Sequence, residues 1–482
     1  MLWLAIFVPA LPLQVFTRAQ LDAELPMAVL DARASARILL ANDAACAQGV
    51  HADQAVAAAQ AIAPALRLQP RQPEREMALL AEIACWAGCF TPRISLAPPN
   101  AVLLEISASL RLFGGMAAVE QQVHEGLEQL GLVTHVACAP TPLAAHWFAV
   151  CGQGPAAGSD WRQALERLPL AVLDNNPACP AAALELLAGL GIRSLGEVCA
   201  LPAAGLALRQ AGAISLLIAR ARGEQPDPRP WFEPPARFAN ELVLPAPSHH
   251  SEALLFAARR LFASLSAWLR ARHAAIDHCR LVLVHERHAT TALDIVLGHP
   301  SDDDKHIALI ARELLATQVL ADEVCALRLE AEHVLEHPLV TGELFETPAQ
   351  LRDEAWRLLE RLRARLGKDA ICRLGAVADH RPEAAWQVCA ANSAATSPAP
   401  RRPATLALPG RRRPFWLLPE PRAIGARQFT LLGDAERIES GWWDGGDIRR
   451  DYYLAHERDH RLCWIFHQLD PPGGWYVQGY FG

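Results

Sequence analysis

The feature that most constrains the fold of this chain is a series of strand and helix patterns between residues 239 and 336. Short apolar alternations predict strands at NELVLP, HCRLVLVHE, TALDIVLG and VCALRLEAEHV. Apolar residues at helical spacing predict helices over SEALLFAARRLFASLSAWLRAR, with Ser251 as N-cap, and over DKHIALIARELLATQ. The resulting order, βαββαβ, is that of a split βαβ sandwich.

The amino-terminal run MLWLAIFVPALPL predicts a buried first strand over residues 2–8. An export signal fits poorly, because the run has no basic n-region, is broken by Pro9 and Pro12 and shows no convincing cleavage site. It is also too short to span a bilayer. The sequence therefore predicts a cytoplasmic protein without a membrane segment.

Length and composition place the chain among multidomain globular proteins. Its 482 residues predict several domains, and 52% apolar with 20% charged residues argues against a disordered chain. The net charge of −7 indicates that any nucleic-acid contact must come from local patches. The twelve cysteines are scattered and lack zinc-site spacing, which is typical of buried thiols in a reducing cytosol.

The remaining patterns are shorter. Residues 17–70 are Ala-rich and predicted to be mostly helical, and a strand ending at Glu105 follows within PPNAVLLEISASLRLFGG. A capping box with Gly367 as terminator predicts a helix over residues 348–366. Asp302, Asp303 and Asp304 are expected to form a solvated loop with capping value, and Cys85 and Cys89 to pack on one helix face.

Taken together, these features resemble a Y-family DNA polymerase. The resemblance covers roughly residues 1–340, and the motifs DHRPEAAW, RPFWLLPEP and RIESGWWDG beyond it are similar to the non-catalytic ImuB branch of that family. It implies an α+β multidomain fold with a small C-terminal β-rich domain. The implied domains are a palm (1–18 and 79–165), fingers (19–78), a helix-hairpin-helix thumb (166–232), a βαββαβ little finger (239–340), a helical extension (346–390), a linker (391–414) and an interaction domain (415–482).

Phosphoryl transfer by such polymerases needs two metal ions held by clustered carboxylates. In the family, the first strand and an Asp-Glu pair before a later strand supply these ligands. Here the corresponding positions hold Ala5, Phe7, Asn100 and Ala101, and Glu105 corresponds to an acid that is not the usual ligand. The resemblance thus implies a protein without catalytic residues, metal or cofactor.

Two further family motifs have lost their triphosphate-binding side chains. The Tyr and Arg of the fingers correspond to Asp43 and Cys46 in DAACAQGV, and an acid there would repel a triphosphate. The two lysines of the segment after the palm strand are missing from PTPLAA, residues 140–145. Both losses agree with an inactive relative.

Two features that the resemblance associates with DNA contact are present, although neither is strongly basic. In GLGIRSLGEV, Gly189 and Gly191 permit close approach of a DNA phosphate to backbone N–H groups at a helix start, with Arg193 nearby. The alternative is a plain helical turn. Arg280 of the little finger lies where such domains meet the DNA backbone, but the sheet is not strongly basic, so binding is expected to be modest and salt-sensitive.

A short peptide, VTGELFE (340–346), resembles a sliding-clamp binding motif, with Leu344 and Phe345 as apolar anchors. A second candidate is TLALP (405–409), and either is also compatible with an ordinary loop. The basic run Arg411–Arg413 is compatible with contact to DNA or an acidic partner, and equally with a solvated linker.

The resemblance implies an adaptor in SOS-induced translesion synthesis and mutagenesis. Its expected partners are primer-template DNA bound without sequence preference, the β sliding clamp, an ImuC-type polymerase, and ImuA and RecA through the C-terminal region. Two alternatives stay open. One is a divergent polymerase that uses Glu105 and displaced acids such as Asp43; the other is a protein-interaction hub without DNA binding.

Overall fold

The computed structural model describes residues 1–20, 25–31, 37–156, 158–174, 176, 179–202, 212–336, 348–367, 370–390, 413–425 and 429–481. The chain divides into two compact units, Met1–Arg365 and Leu366–Gly482. Within the described ranges, no helix has both the length and the apolar character that crossing a bilayer requires.

The first 150 residues build a central sheet, a second small sheet and the helices around them. Their elements are β1 (Trp3–Phe7), α1 (Leu11–Thr17), β2 (Met27–Leu30), β3 (Ile38–Ala41), α2 (Asp43–Ala47), α3 (Val56–Ile62), β4 (Arg67–Pro70), α4 (Pro73–Ala87), β5 (Ile94–Ala97), β6 (Ala101–Glu105), α5 (Leu110–Phe113), α6 (Met116–Gln129), β7 (His135–Ala139) and α7 (Pro142–Val150).

The central sheet has the order β5-β6-β1-β7, and β1 is antiparallel to both of its neighbours. Successive residues of a strand face opposite sides. Accordingly, Leu4 and Ile6 belong to one buried apolar cluster, whereas Trp3 and Ala5 belong to another. Because both faces of β1 are packed, its sequence is apolar throughout, and the predicted buried first strand is confirmed.

The Ala-rich segment between the first strand and α4 is only partly helical. It contains the three-stranded sheet β3-β2-β4, in which β2 pairs antiparallel with β3 and parallel with β4. The helices α2 and α3 are short and contribute Ala45 and Ala59 to its core. The prediction of a mostly helical segment was wrong here, because pairing and burial of short apolar stretches outweigh the helix propensity of alanine.

A helical region follows: α8 (Trp161–Glu166), a 3₁₀ turn (Leu170–Leu173), α9 (Ala181–Gly189), α10 (Leu195–Cys199) and α11 (Gly212–Ala221). Its apolar residues share one cluster with α7 and with the Trp3–Ala5 face of the central sheet. The Thr141 hydroxyl joins the two parts, since it accepts a hydrogen bond from Ala144 N–H (3.3 Å) and donates one to Ala221 O (2.6 Å). Thr141 therefore caps α7 and ties α11 to it.

The predicted βαββαβ order is confirmed. It consists of β8 (Phe238–Ser248), α12 (Ser251–Arg270), β9 (Ala274–His285), β10 (Thr291–Ser301), α13 (Asp304–Thr317) and β11 (Val324–Ala331), with β12 (Leu335–Glu336) beside β9. The sheet order is β10-β9-β11-β8, and all three pairings are antiparallel.

The ends of the two helices refine the prediction. α12 begins at Ser251 itself; its N-cap is His250, whose N–H donates to the Ser248 hydroxyl (3.2 Å). Asp303 caps α13 by accepting from the N–H groups of Lys305 (3.0 Å) and His306 (3.3 Å), which confirms the capping value expected of the acidic run.

The helix predicted over 348–366 is observed as α14 (Pro348–Leu366), and Gly367 follows it with a φ of 94°. Its Glu360 carboxylate is buried against the βαββαβ region. Oε2 lies 2.6 Å from His306 Nε2, and Oε1 accepts the Gly298 N–H. A Cβ at residue 298 would lie 2.5 Å from Oε1, so a side chain there would displace the Glu360 carboxylate.

The second unit is built of strands. It contains a hairpin, β13 (Cys372–Ala376) and β14 (Trp386–Ala390), followed by β15 (Trp416–Ile424), β16 (Phe429–Leu431), β17 (Glu436–Ser440), β18 (Ile448–Glu457), β19 (Leu462–Gln468) and β20 (Gly474–Tyr480). The later strands form a sheet of order β15-β20-β19-β18-β16, with β17 beside β18. The predicted β-rich tail is confirmed, but the helical extension proposed for 346–390 ends at Leu366, because the alternating segments after it pair as a hairpin.

Candidate functional site

Three of the four positions that the sequence predicts to correspond to polymerase metal ligands come together at one end of the central sheet. Phe7 on β1 is the Cα partner of Ala101 on β6, and the Val8 N–H donates to Asn100 O (2.8 Å). Ala5 lies one pleat further along, opposite Leu103. The fold thus brings Phe7, Asn100 and Ala101 together, with side chains that carry no charge.

Aromatic rings surround Phe7 on this sheet end. His135 on β7 is its other Cα partner, with ring centroids 6.0 Å apart, and the His146 ring on α7 is 6.4 Å away. Burial, aided by the charge of Arg229, lowers the pKa of His146 to about 4, so this imidazole is neutral near pH 7. Across the described residues, no group of three or more His, Cys, Asp or Glu side chains is arranged to hold a metal ion.

Glu105 lies at the opposite end of β6, where its Cα partner is Trp3. Its buried carboxylate accepts from Ser107 N–H (3.1 Å) and from Arg93 Nη1 (3.3 Å). Burial raises its pKa, but hydrogen bonds from Ser107 and the Arg93 guanidinium outweigh this and hold the pKa below its usual value. Four residues of strand, about 13 Å, separate it from Ala101. The arrangement supports a structural acceptor that fixes the strand end.

Both segments in which triphosphate-binding side chains are predicted to be missing form the first turns of helices. Asp43 is exposed in the first turn of α2, and Cys46 is exposed one turn later. Asn42 caps this helix by accepting from Ala45 N–H (3.0 Å). Residues 140–145 form the start of α7, where Thr141 is the N-cap and Pro142 occupies the first turn.

The turn between α9 and α10 holds the predicted phosphate-binding glycines. A Cβ at Gly189 or Gly191 would meet no atom within 4 Å, and Gly191 has a φ of 81°. However, the N–H groups of Gly191, Ile192 and Arg193 already donate within the protein, the last to Glu197 (2.7 Å). Approach at this turn is open, but its N–H groups are largely occupied by internal acceptors.

The helix after this turn, α10, contains a glycine that the sequence analysis did not single out. Gly196 lies in the first turn of α10, and a Cβ there would be 3.0 Å from Glu166 O. Its absence of a side chain lets α10 pack against α8. The sequence SLGEV contains the capping residues Ser194 and Glu197. It does not indicate why a glycine lies between them.

Arg280 is held by an acid on the neighbouring strand. Its Nε is 2.9 Å from Asp294 Oδ1, and His278 Nε2 is 3.1 Å from the same oxygen. Hydrogen bonding to Arg280 keeps the pKa of Asp294 below its usual value. On β11, Arg328 is similarly paired with Glu330 (2.7 Å). Both arginines of this sheet are therefore paired with acids, and modest DNA binding stays a prediction.

The Pro-rich connector after α11 packs against the central sheet, which the sequence did not predict. Trp231 stacks on Trp3 with centroids 5.9 Å apart and an interplanar angle of 6°. The Phe232 N–H donates to Ile94 O on β5 (2.7 Å). The two adjacent aromatic residues within a Pro-rich segment were the available signal for this contact.

The predicted clamp-binding residues Leu344 and Phe345, and the second candidate at 405–409, lie outside the described residues. So do Arg411 and Arg412 of the basic run. Arg413 is described: its guanidinium binds the Glu436 carboxylate and lies 4.9 Å from the centroid of the Trp464 ring. Cys85 packs on α4 as expected, whereas Cys89 lies in the turn after that helix; burial raises their pKa values to about 11 and about 12.

Comparison with known proteins gives a family match for part of this chain. Residues 6–149, which begin within β1 and include the Phe7–Ala101 end of the central sheet, match the model of the impB/mucB/samB family. The Y-family resemblance derived from the sequence is thereby confirmed for these residues.

Similarity to individual proteins extends beyond residues 6–149. Protein ImuB of Caulobacter vibrioides, from strains NA1000 / CB15N and ATCC 19089 / CIP 103742 / CB 15, is 26% identical over 90% of this chain and 100% of its own length. Similar solved structures include a Dbh ternary complex (17% identity, 70% of this chain and 99% of that chain, TM-score 0.39). Another is DinB from Sulfolobus solfataricus (16% identity, 70% and 99%, TM-score 0.39).

Proposed function

We propose that this protein is a non-catalytic, DNA-binding adaptor in SOS-induced translesion synthesis and mutagenesis. In this role it links the β sliding clamp, an ImuC-type polymerase and ImuA- or RecA-type proteins at damaged DNA. The observation that carries the proposal is the meeting of Phe7, Asn100 and Ala101 at one sheet end of the segment that matches the impB/mucB/samB family. Similarity to ImuB along nearly the whole chain supports the adaptor role.

The lack of catalysis follows from the side chains at that sheet end. Nucleotidyl transfer needs carboxylates to hold metal ions against the developing negative charge. A phenyl ring, an amide and a methyl group offer no such ligand set, and the neighbouring rings of His135 and His146 contain no anionic oxygen. The Glu105 carboxylate is engaged by Arg93 and Ser107 at the far end of the strand.

DNA binding is proposed at two places, the open turn at Gly189–Gly191 and the sheet that carries Arg280. The turn allows close approach of a phosphate, and Arg193 adds a cation beside it. Because Arg280 is paired with Asp294, its gain from a phosphate is reduced by the loss of that pair. We therefore expect weak binding without sequence preference that falls steeply with salt.

The protein partners are proposed from the sequence and from the ImuB relatives. Leu344 and Phe345 are the proposed anchors for the β clamp, with 405–409 as the second candidate. The strand-rich second unit is the proposed site for ImuA- and RecA-type proteins. The ImuC-type polymerase completes the set.

The test uses purified protein on a labelled primer-template with magnesium and all four nucleotides, with bound fraction and primer length measured in the same samples. We expect binding at low salt without primer extension. Extension above background that is lost in Glu105→Gln would favour the divergent polymerase instead. Failure to bind primer-template even at low salt would favour the interaction hub without DNA binding.

A further inference from the structure

Two large apolar side chains stand in solvent at one turn of the second unit. Trp442 is 77% exposed and Trp443 is 56% exposed, in the turn between β17 and β18. Their rings are in an edge-to-face arrangement with centroids 5.5 Å apart. By contrast, Tyr452 on β18 and Trp464 on β19 are buried. We call residues 441–447 the indole turn; its exposed apolar surface is typical of a protein contact site.

The indole turn is held in one conformation by a side chain from the β13–β14 hairpin. Arg381 donates through Nη2 to Asp444 Oδ2 (2.5 Å) and through Nη1 to Asp444 Oδ1 (3.1 Å) and Gly446 O (3.2 Å). Asp379 fixes Arg381 in turn, at 2.7 Å. Asp444 Oδ1 also accepts the Gly446 N–H (2.9 Å).

Backbone geometry adds to this rigidity. Gly441 has a φ of 92°, and a Cβ at this position would collide with Gly446 O, so the turn closes only with glycine there. Arg381 also lies 5.8 Å from the centre of the Trp443 ring. A rigid element loses little conformational entropy on binding. The turn is therefore preorganised to present both indoles.

Charge indicates the class of partner. The indole turn, GWWDGGD, contains two acids and no cation. Arg381 neutralises Asp444, whereas Asp447 has no ion-pair partner among the described residues. An uncompensated carboxylate beside the indoles disfavours the phosphates of nucleic acid and favours a basic protein surface. The complementary site is an apolar pocket with a rim of Arg or Lys side chains.

We propose that the indole turn is the docking element of the second unit, and that it inserts Trp442 and Trp443 into an apolar pocket with a basic rim on a partner protein. The inference rests on the proposed function, in which the second unit recruits an ImuA-type protein. It goes beyond that function by naming the residues that make the contact and the chemistry of the surface that receives them.

The test measures affinity between the full chain and a purified ImuA-type protein. In Trp442→Ala/Trp443→Ala we expect affinity to fall by about 30-fold or more, as for paired aromatic anchors. Trp442→Ala alone, which leaves the Arg381 contacts in place, should lose about tenfold. The matched control is Phe415→Ala/Trp416→Ala, which removes two aromatic residues of the same unit that are 87% and 71% exposed; it should stay within about threefold.

The possible outcomes distinguish recruitment of an ImuA-type protein from docking through the indole turn. Wild-type binding that survives both indole variants would overturn this inference and leave the proposed recruitment intact. Absence of wild-type binding would overturn the recruitment and the inference with it. If instead the indole variants lose binding to labelled oligothymidine and keep the ImuA-type protein, the turn contacts nucleic acid and the inference is wrong.

Discussion

Arg280 and Asp294 lie opposite each other on β9 and β10, with Arg280 Nε 2.9 Å from Asp294 Oδ1. The pair places an acid beside the cation that the sequence assigned to the DNA backbone. Any phosphate at this position has to compete with a carboxylate that stays ionised, because its pKa is held low by the same arginine. We therefore expect the proposed DNA affinity of this sheet to depend on Asp294 as much as on Arg280.

Removing that competitor should strengthen DNA binding. In Asp294→Asn we expect primer-template affinity at low salt to rise by roughly threefold to tenfold, with a salt dependence steeper by about one unit of log-log slope. Fluorescence anisotropy across a salt series measures both. Asp322→Asn is the control, since it removes an acid that is paired with His288 (3.2 Å) in the same region. Equal gains in both variants would indicate a general charge effect and contradict a specific role of Arg280.

Gly189 offers a test in which stability and binding change in opposite directions. It ends α9, has ordinary helical geometry and open space around it, so Gly189→Ala should raise the free energy of unfolding by up to about 1 kcal/mol. If DNA approaches closely here, the same methyl group should weaken binding severalfold. Denaturant unfolding and anisotropy give the two values. Ala182→Gly, exposed on the same helix, should lower stability and leave DNA binding unchanged; unaltered binding in Gly189→Ala would remove this turn from the interface.

Glu105 should affect stability in a pH-dependent way. Its pKa in the folded protein is held below the ordinary value of 4.5. Its contribution is therefore fully present above that value and is lost as pH falls through the lower, folded pKa. We expect Glu105→Gln to unfold about 1–3 kcal/mol more easily at pH 7. The gap from wild type should narrow below about pH 4.5. Denaturant titrations at several pH values test this, with exposed Glu128→Gln as the control; a gap that is constant with pH would contradict the assignment.

Glu360 should be a major determinant of how α14 is held. Glu360→Ala leaves His306 and the Gly298 N–H without their buried partner, so we expect a loss of about 3 kcal/mol in the free energy of unfolding. Arg357→Ala breaks only an exposed pair with Asp303 (3.5 Å) and should cost less than about 1 kcal/mol. Thermal and denaturant unfolding measure both. The apolar double variant Glu360→Leu/His306→Leu should recover part of the loss, and no recovery would argue against an unpaired buried group as the cause.

The elements that the sequence predicted well are those with a strong period and clear ends. The βαββαβ region and α14 combine long apolar periodicity with caps; their helices were found within two residues of the expected bounds, and the strands within about four. The prediction for the Ala-rich segment was wrong because strand pairing and burial outweigh the helix propensity of alanine there. There, the tertiary pairing of β2 with β4 decides, and that pairing is invisible locally.

The sequence predicted which uncharged residues occupy the candidate site, but it did not predict the ion pair, the ring stack or the turn contact described next. Phe7 and Ala101 follow from aligning strands with a family pattern, so their meeting could be expected. The pairing of Arg280 with Asp294 depends on the register between β9 and β10, and the Trp3–Trp231 stack joins residues more than two hundred positions apart. The sequence motif GWWDG was recognised, but only the structure shows that Arg381 of DHRPEAAW donates hydrogen bonds to its Asp444 carboxylate.

The contact between Arg381 and Asp444 determines where a fragment of the second unit can begin. Arg381 and Asp444 stand on opposite sides, in sequence, of residues 391–412, and Glu383 and Arg450 make a second bond across the same interval (2.9 Å). A fragment started at Phe415 would contain both tryptophans and lack the arginine that positions them. After cleavage within that interval, Arg381 and Asp444 would belong to different pieces, so the conformation of the indole turn would depend on the association of those pieces.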